Sequence, residues 1–277
     1  VTRLKAFLLR HQLLSFFGLA YAISWALWAP VLTERLSVRG TWYATLLLFV
    51  GGFGPFLSAL LLTYVELGFS GVKSILGRLV LWRVSFGWYL VAFYGFPIYG
   101  LLATVLIGVS SPISTFSALQ TVFLVLPLSI GTRFLVAGPL GEELGWRGYA
   151  LPRLLATSNA WVASAVLGCL WAFWHTPLML VPDWRGTVTV NLFFTIYPLS
   201  LVALTLIFTW TYLGTGGSLL IAMLLHASYN ATLYLFDELF GLGQVDAWTT
   251  NAVSAAMLWV AVLVLVIVRG SSLRSGG

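Results

Sequence analysis

The stretch Phe193–Leu213, FFTIYPLSLVALTLIFTWTYL, decides the fold. It contains no Asp, Glu, Lys, Arg or His over 21 residues. A helix needs about 20 apolar residues to cross the hydrocarbon core of a bilayer. Seven more stretches of this kind lie at about 12–32, 42–65, 87–109, 118–138, 160–181, 218–237 and 248–268. The 277-residue chain is 60% hydrophobic and only 8% charged, whereas a soluble domain needs about a quarter of its residues charged. That excludes a soluble globular protein and a disordered one. A single cysteine, Cys169, excludes a disulfide scaffold. The expected fold is all-α: one polytopic transmembrane domain over residues 1–277, with about eight helices enclosing a polar intramembrane cavity. The connections are short and turn-rich, at Ser110–Pro112, Ser158–Asn159, Pro182–Trp184 and Gly214–Gly217. The first apolar run has no small-residue cleavage site after it and is followed by further spans, so it reads as a membrane span and not as a cleaved signal.

Orientation follows from Lys/Arg asymmetry. With the N-terminus in the cytoplasm, ten of the 14 cations fall inside: Arg3, Lys5, Arg10, Lys73, Arg78, Arg83, Arg147, Arg153, Arg269 and Arg274. Arg35, Arg39 and Arg185 fall outside and Arg133 falls within a span. Eight spans then put both termini in the cytoplasm. The net charge of +6 is thereby explained by topology and anionic headgroups, with no nucleic-acid partner. Lys73, Arg78 and Arg83 among Ile75, Leu76, Leu79 and Val80 predict an interfacial amphipathic helix over about 66–86. Trp25, Trp28, Trp42, Tyr43, Trp82, Trp88, Tyr89, Trp184, Trp210 and Trp248 fall near span ends, where aromatic anchors are expected.

Ionisable residues at membrane depth are costly and point to function. His11 reads as interfacial, and Asp237, Glu238 and Asp246 as solvated residues of the last outside loop. Arg133, about five residues from the cytoplasmic end of its span, is expected to snorkel to the headgroups. Three segments resist such readings. In Gly138-Pro139-Leu140-Gly141-Glu142-Glu143-Leu144-Gly145-Trp146-Arg147, Pro139 and Gly141 break the preceding span and Pro suits the first turn of a new helix. Glu143 and Arg147, four apart, form a favourable ion pair. Glu142 points about 100° away, free for chemistry. In Trp171-Ala172-Phe173-Trp174-His175-Thr176-Pro177, Pro177 cannot donate to the Phe173 carbonyl, which kinks the helix or frees an acceptor beside His175. In His226-Ala227-Ser228-Tyr229-Asn230, His226 and Asn230 share one helix face; a polar cavity and interhelical hydrogen bonding both fit that pair.

Together these segments resemble the CAAX protease and bacteriocin-processing enzyme family of intramembrane proteases, which includes the type II CAAX prenyl endopeptidase. Glu142, Glu143 and Arg147 match its Glu-Glu-x-x-x-Arg motif, Trp171 and His175 its aromatic-x-x-x-His motif, and His226 and Asn230 its His-x-x-x-Asn motif. The motif-bearing core spans about 118–240. The resemblance implies an intramembrane endopeptidase, CAAX-protease-like, in a prokaryotic cell membrane, acting on a membrane-embedded or lipidated peptide. Prenylated CAAX proteins, bacteriocin leaders and other membrane peptides remain open as substrates. Glu142 with His175 would activate water. His226 and Asn230 would stabilise the oxyanion, and Glu143 with Arg147 would support the Glu142 helix. The family's metalloprotease label leaves a second scheme, in which Glu142, His175 and His226 hold Zn2+. His-Glu-x-x-His is absent, so no cofactor is fixed by the sequence. Both schemes require Glu142, His175, His226 and Asn230 to converge on one cavity. Counted from the starts of their spans, His175 lies about 24 Å along and His226 about 13 Å, so the fifth helix must begin outside the bilayer or elsewhere than read. Two other classes compete. A proton-coupled transporter also uses buried Glu, His and Arg, although no internal repeat is visible. A non-catalytic membrane immunity or scaffold protein would tolerate loss of Glu142.

Overall fold

The computed structural model describes residues 3–33, 41–109, 120–136, 138–185, 188–241 and 245–270. The turn read at Ser110–Pro112, the outside cations Arg35 and Arg39, and Arg274 lie outside the described residues. All regular elements among the described residues are helical. They are α1 (Arg3–Arg10), α2 (Gln12–Thr33), α3 (Trp42–Gly51), α4 (Gly54–Gly77), α5 (Phe86–Ile107), α6 (Leu126–Val136), α7 (Pro139–Glu143), α8 (Leu151–Thr157), α9 (Ala160–Trp174), α10 (Pro182–Arg185), α11 (Val190–Gly214), α12 (Leu219–Phe240) and α13 (Ala247–Arg269). π-helical turns precede α6 (Thr121–Val125) and join α7 to α8 (Leu144–Ala150), and 3-10 turns follow α4 and α9.

Seven helices are long and apolar enough to span a membrane, and an eighth is counted if Phe123–Val136 and Pro139–Thr157 form one span bent by 50°. The chain is an all-α polytopic integral membrane protein. Helices satisfy their own backbone polar groups, which lipid cannot do. Side-chain caps hold several helix starts: Asn159 accepts from the Val162 amide at 3.0 Å, Ser218 from Ile221 at 3.2 Å and Asp246 from Thr249 at 2.9 Å. Asp237, Glu238 and Asp246 are exposed as expected, but not in a loop: Asp246 is the N-cap of α13, and Asp237 and Glu238 belong to the last turns of α12.

The α11 and α12 spans are the most buried, 67% and 61% within the protein, against 17% for α13. They form the centre. α12 packs on α5, α6, α7 and α11, and α11 also packs on α9 and α13. The outer faces carry exposed apolar side chains such as Phe69, Phe86, Val105 and Ile267, as a lipid-facing surface requires.

The stretch read as one span over 42–65 is divided. α3 stops at Gly51 and α4 starts at Gly54. The reason is tertiary: a Cβ on Gly141 would stand 2.7 Å from the Gly52 carbonyl oxygen, and one on Gly145 2.6 Å from that of Pro55. The segment carrying the paired glutamates therefore lies backbone to backbone against this break. The amphipathic segment expected over 66–86 starts at a real discontinuity, Gly68 at φ +66°. Beyond it Gly71 and Ile75 face inward and Lys73 and Ser74 outward, but the helix stops at Gly77 and gives way to a 3-10 turn at Arg78–Val80. Not every aromatic at a span end is an anchor. Trp28 is fully buried and donates to the Leu48 carbonyl at 3.1 Å, and Trp25 donates to that of Trp174 at 2.9 Å. Both spend their indole N–H on joining helices.

Candidate active site

Glu142 and Glu143 ride on α7, which starts at Pro139 directly after the break at Gly138. Gly138 has φ +98°, and a Cβ there would run into Glu142 Oε1. Only glycine meets both conditions. The chain then continues not as α-helix but as the π-helical Leu144–Ala150, a form found disproportionately at functional sites. Its far end is fastened by Glu66, which accepts from Tyr149 and pairs with Arg153 at 2.5 Å.

Glu143 and Arg147 pair as the spacing predicts, at 2.8 Å and fully buried. Glu143 Oε1 also meets His226 Nδ1 at 2.7 Å. The Arg147 guanidinium lies between two aromatic rings, 4.4 Å from the Trp171 centroid and 4.1 Å from that of Phe208. Its Nε and Nη2 have no hydrogen-bond partner among the described residues. The ring faces give the cation the stabilisation those donors do not find.

Glu142 is not free, contrary to the expectation. Its Oε2 accepts from Trp171 Nε1 at 2.6 Å and from Trp146 Nε1 at 3.2 Å. Two indoles hold one carboxylate oxygen and leave Oε1 beside Gly138. Trp146 was missed from sequence, although it lies four residues after Glu142, the same spacing that joins Glu143 to Arg147.

His175 is the C-cap of α9. Pro177 ends the α-helix as expected, and the Phe173 carbonyl it abandons accepts from the Thr176 hydroxyl at 2.6 Å. His175 Nδ1 meets the Trp171 carbonyl at 2.9 Å. A carbonyl only accepts, so Nδ1 carries the proton and Nε2 of the neutral ring offers a lone pair. Trp174, Tyr197 and Trp184 surround the imidazole, with Trp184 stacked at 5.5 Å. Trp184 is thus a neighbour of the site and not only an interface anchor. The His175 and His226 rings lie 6.2 and 5.5 Å from the Trp171 indole. His175 stands just past the end of α9 and His226 in the first half of α12, yet both rings lie against the same indole.

Glu142, His175, His226 and Asn230 all line one cavity of about 820 Å³, within the size range of small-ligand sites. Tyr197 and Tyr229 line it too, and so do Arg133, Tyr234 and Asp237. Glu143 and Arg147 stand behind this wall. Zinc would need three converging donors and an open position. Among the described residues no three His, Cys, Asp or Glu side chains are disposed around one metal position. One oxygen of each glutamate is already engaged by indole, guanidinium or imidazole donors. This donor set does not fit a zinc ion as it is arranged.

Residues 122–232, which include Glu142, His175, His226 and Asn230, match the family described as type II CAAX prenyl endopeptidase Rce1-like. A curated relative, the CAAX prenyl protease 2 of Methanococcus maripaludis, is 32% identical over 37% of this chain and 38% of its own length. The segment that carries the site is thus similar to the Rce1-like family over about two fifths of the chain. The aligned region thus spans well under half of the relative.

Proposed function

We propose that the protein is an intramembrane endopeptidase that hydrolyses a peptide bond in a membrane-associated or lipidated peptide, as the name of its relative suggests. The observation that carries this reading is the shared cavity: a carboxylate oxygen, two imidazoles and a carboxamide face one space inside an apolar helix bundle.

In the reaction, Glu142 Oε1 and His175 Nε2 hold a water molecule, and Glu142 takes one of its protons. The water oxygen bonds to the scissile carbonyl carbon, and the C=O π pair moves to oxygen. Asn230 and His226 Nε2–H donate to that oxyanion. Donation from Nε2 requires His226 to be an imidazolium, with Glu143 as its counter-charge. When the C–N bond breaks, the oxyanion pair re-forms the C=O bond and the proton held by Glu142 passes to the leaving nitrogen, giving a carboxylic acid and an amine. Arg147, Glu143, Trp146 and Trp171 are positioning residues: they fix the two acids and touch no reacting atom.

A direct test reconstitutes the protein in vesicles with a prenylated or acylated peptide and weighs the products. Two fragments whose masses sum to the peptide plus one water are expected. Intact peptide recovered on the opposite side of the membrane would favour a carrier and contradict the protease reading.

A further inference from the structure

Arg133 has no role in the reaction just described, yet it lines the same cavity as Glu142. It lies on α6, one turn before the Gly138 break. It does not simply snorkel away. Its guanidinium lies 4.3 Å from the centroid of Tyr234 on α12. Its Nε is buried and has no hydrogen-bond partner among the described residues. No carboxylate among the described residues pairs with it, although Asp237 lines the same cavity. A guanidinium held on an aromatic ring, with its buried Nε unspent at an apolar cavity wall, is arranged to receive an anion, and its planar fork matches carboxylate and phosphate alike.

We infer that Arg133, held by Tyr234, is a specificity-determining residue that binds a carboxylate of the substrate peptide. The inference rests on the protease reading and deepens it. Tyr234 lies two turns beyond His226 on α12, about 12 Å along the helix. An extended peptide covers that distance in about four residues, so one peptide can reach both Arg133 and the oxyanion donors. A lipid phosphate could meet the same guanidinium, but the cavity that Arg133 shares with Glu142 favours the peptide. The cavity's other cation, Arg185, follows Trp184 on α10 and serves as a control.

The test compares one lipidated peptide ending in a free carboxylate with its C-terminal amide. For the wild type, the amide should raise KM about tenfold or more with kcat little changed, the effect of losing a charge-assisted pair. Arg133→Met should raise KM for the acid and erase the preference. Arg133→Lys should keep part of it, and Arg185→Met all of it. Equal KM values for the two peptides with the wild type would overturn the inference, whatever the variants do. Binding of both peptides to Glu142→Gln, followed by fluorescence anisotropy, separates the two readings. A preference for the acid there, without turnover by the wild type, would keep Arg133's role and refute the protease. Equal binding overturns Arg133's role. So does competition by phosphatidylglycerol that Arg133→Met abolishes while acid and amide bind alike, since the anion site would then belong to a lipid.

Discussion

Trp171 does three things at once. Its indole N–H donates to Glu142, its carbonyl accepts from His175 Nδ1, and its ring face lies against Arg147. Trp171→Phe keeps the carbonyl and an aromatic face but removes part of the ring together with the donor to a carboxylate, the latter an interaction worth about 1.5–3 kcal/mol. Turnover should fall about ten- to a hundredfold while the thermal midpoint in detergent moves little. Equal loss of both would make Trp171 a packing residue. Arg147 behaves differently, because its removal breaks a fully buried ion pair and leaves Glu143 with only His226 as counter-charge among the described residues. Arg147→Met should cost about 3–5 kcal/mol of stability, and the cycle with Glu143→Gln should be strongly non-additive. Additive melting shifts would show that the pair is not coupled. At this scale the sequence is legible where partners are four apart on one helix, as for Glu143 and Arg147. Contacts such as Trp171 to Glu142 and His226 to Glu143 join different helices, and no spacing rule reaches them.

At the scale of elements, the site depends on a broken span. α6 stops, Gly138 turns through φ +98°, and α7 re-enters with Glu142 in its first turn. Gly138→Ala adds backbone strain of about 1–3 kcal/mol and drives a methyl group toward Glu142 Oε1. The variant should fold and bind peptide but turn over at least a hundredfold more slowly; near-normal kcat would show that Oε1 is not where the water is held. Pro139, Gly141 and Pro177 announced the breaks in sequence, because their local chemistry forbids regular helix. The division of 42–65 into α3 and α4 and the π-helical run after Glu143 were not announced. Both exist to let Gly141 and Gly145 meet the backbone of residues 52–55, a requirement set by tertiary approach and not by local propensity.

For the whole molecule, the apolar runs fix a helical membrane protein, and the few ionisable residues left inside it mark the cavity. The charge asymmetry gives a topology that can be checked: both termini in the cytoplasm. In a Cys169→Ser background, a cysteine placed at Lys5 should react with an impermeant maleimide only after the membrane is opened. Labelling of intact cells would reverse the orientation. Arg133 and Trp184 show the limit of such reasoning, since hydropathy assigns both to the interface while the assembled bundle turns both toward the cavity. The metal question belongs to this scale as well. Purified active protein is expected to hold no stoichiometric zinc, by elemental analysis; one equivalent that vanishes in His175→Ala would require side chains to rearrange around it.

The most direct test of the central claim is the single-turnover cleavage rate of wild type and Glu142→Gln on the same lipidated peptide, with peptide binding and thermal midpoint matched. Loss of a positioned base should slow the chemical step about 10²–10⁴-fold, with binding intact. A Glu142→Gln rate within threefold of wild type would contradict the assignment of Glu142 as the group that activates water.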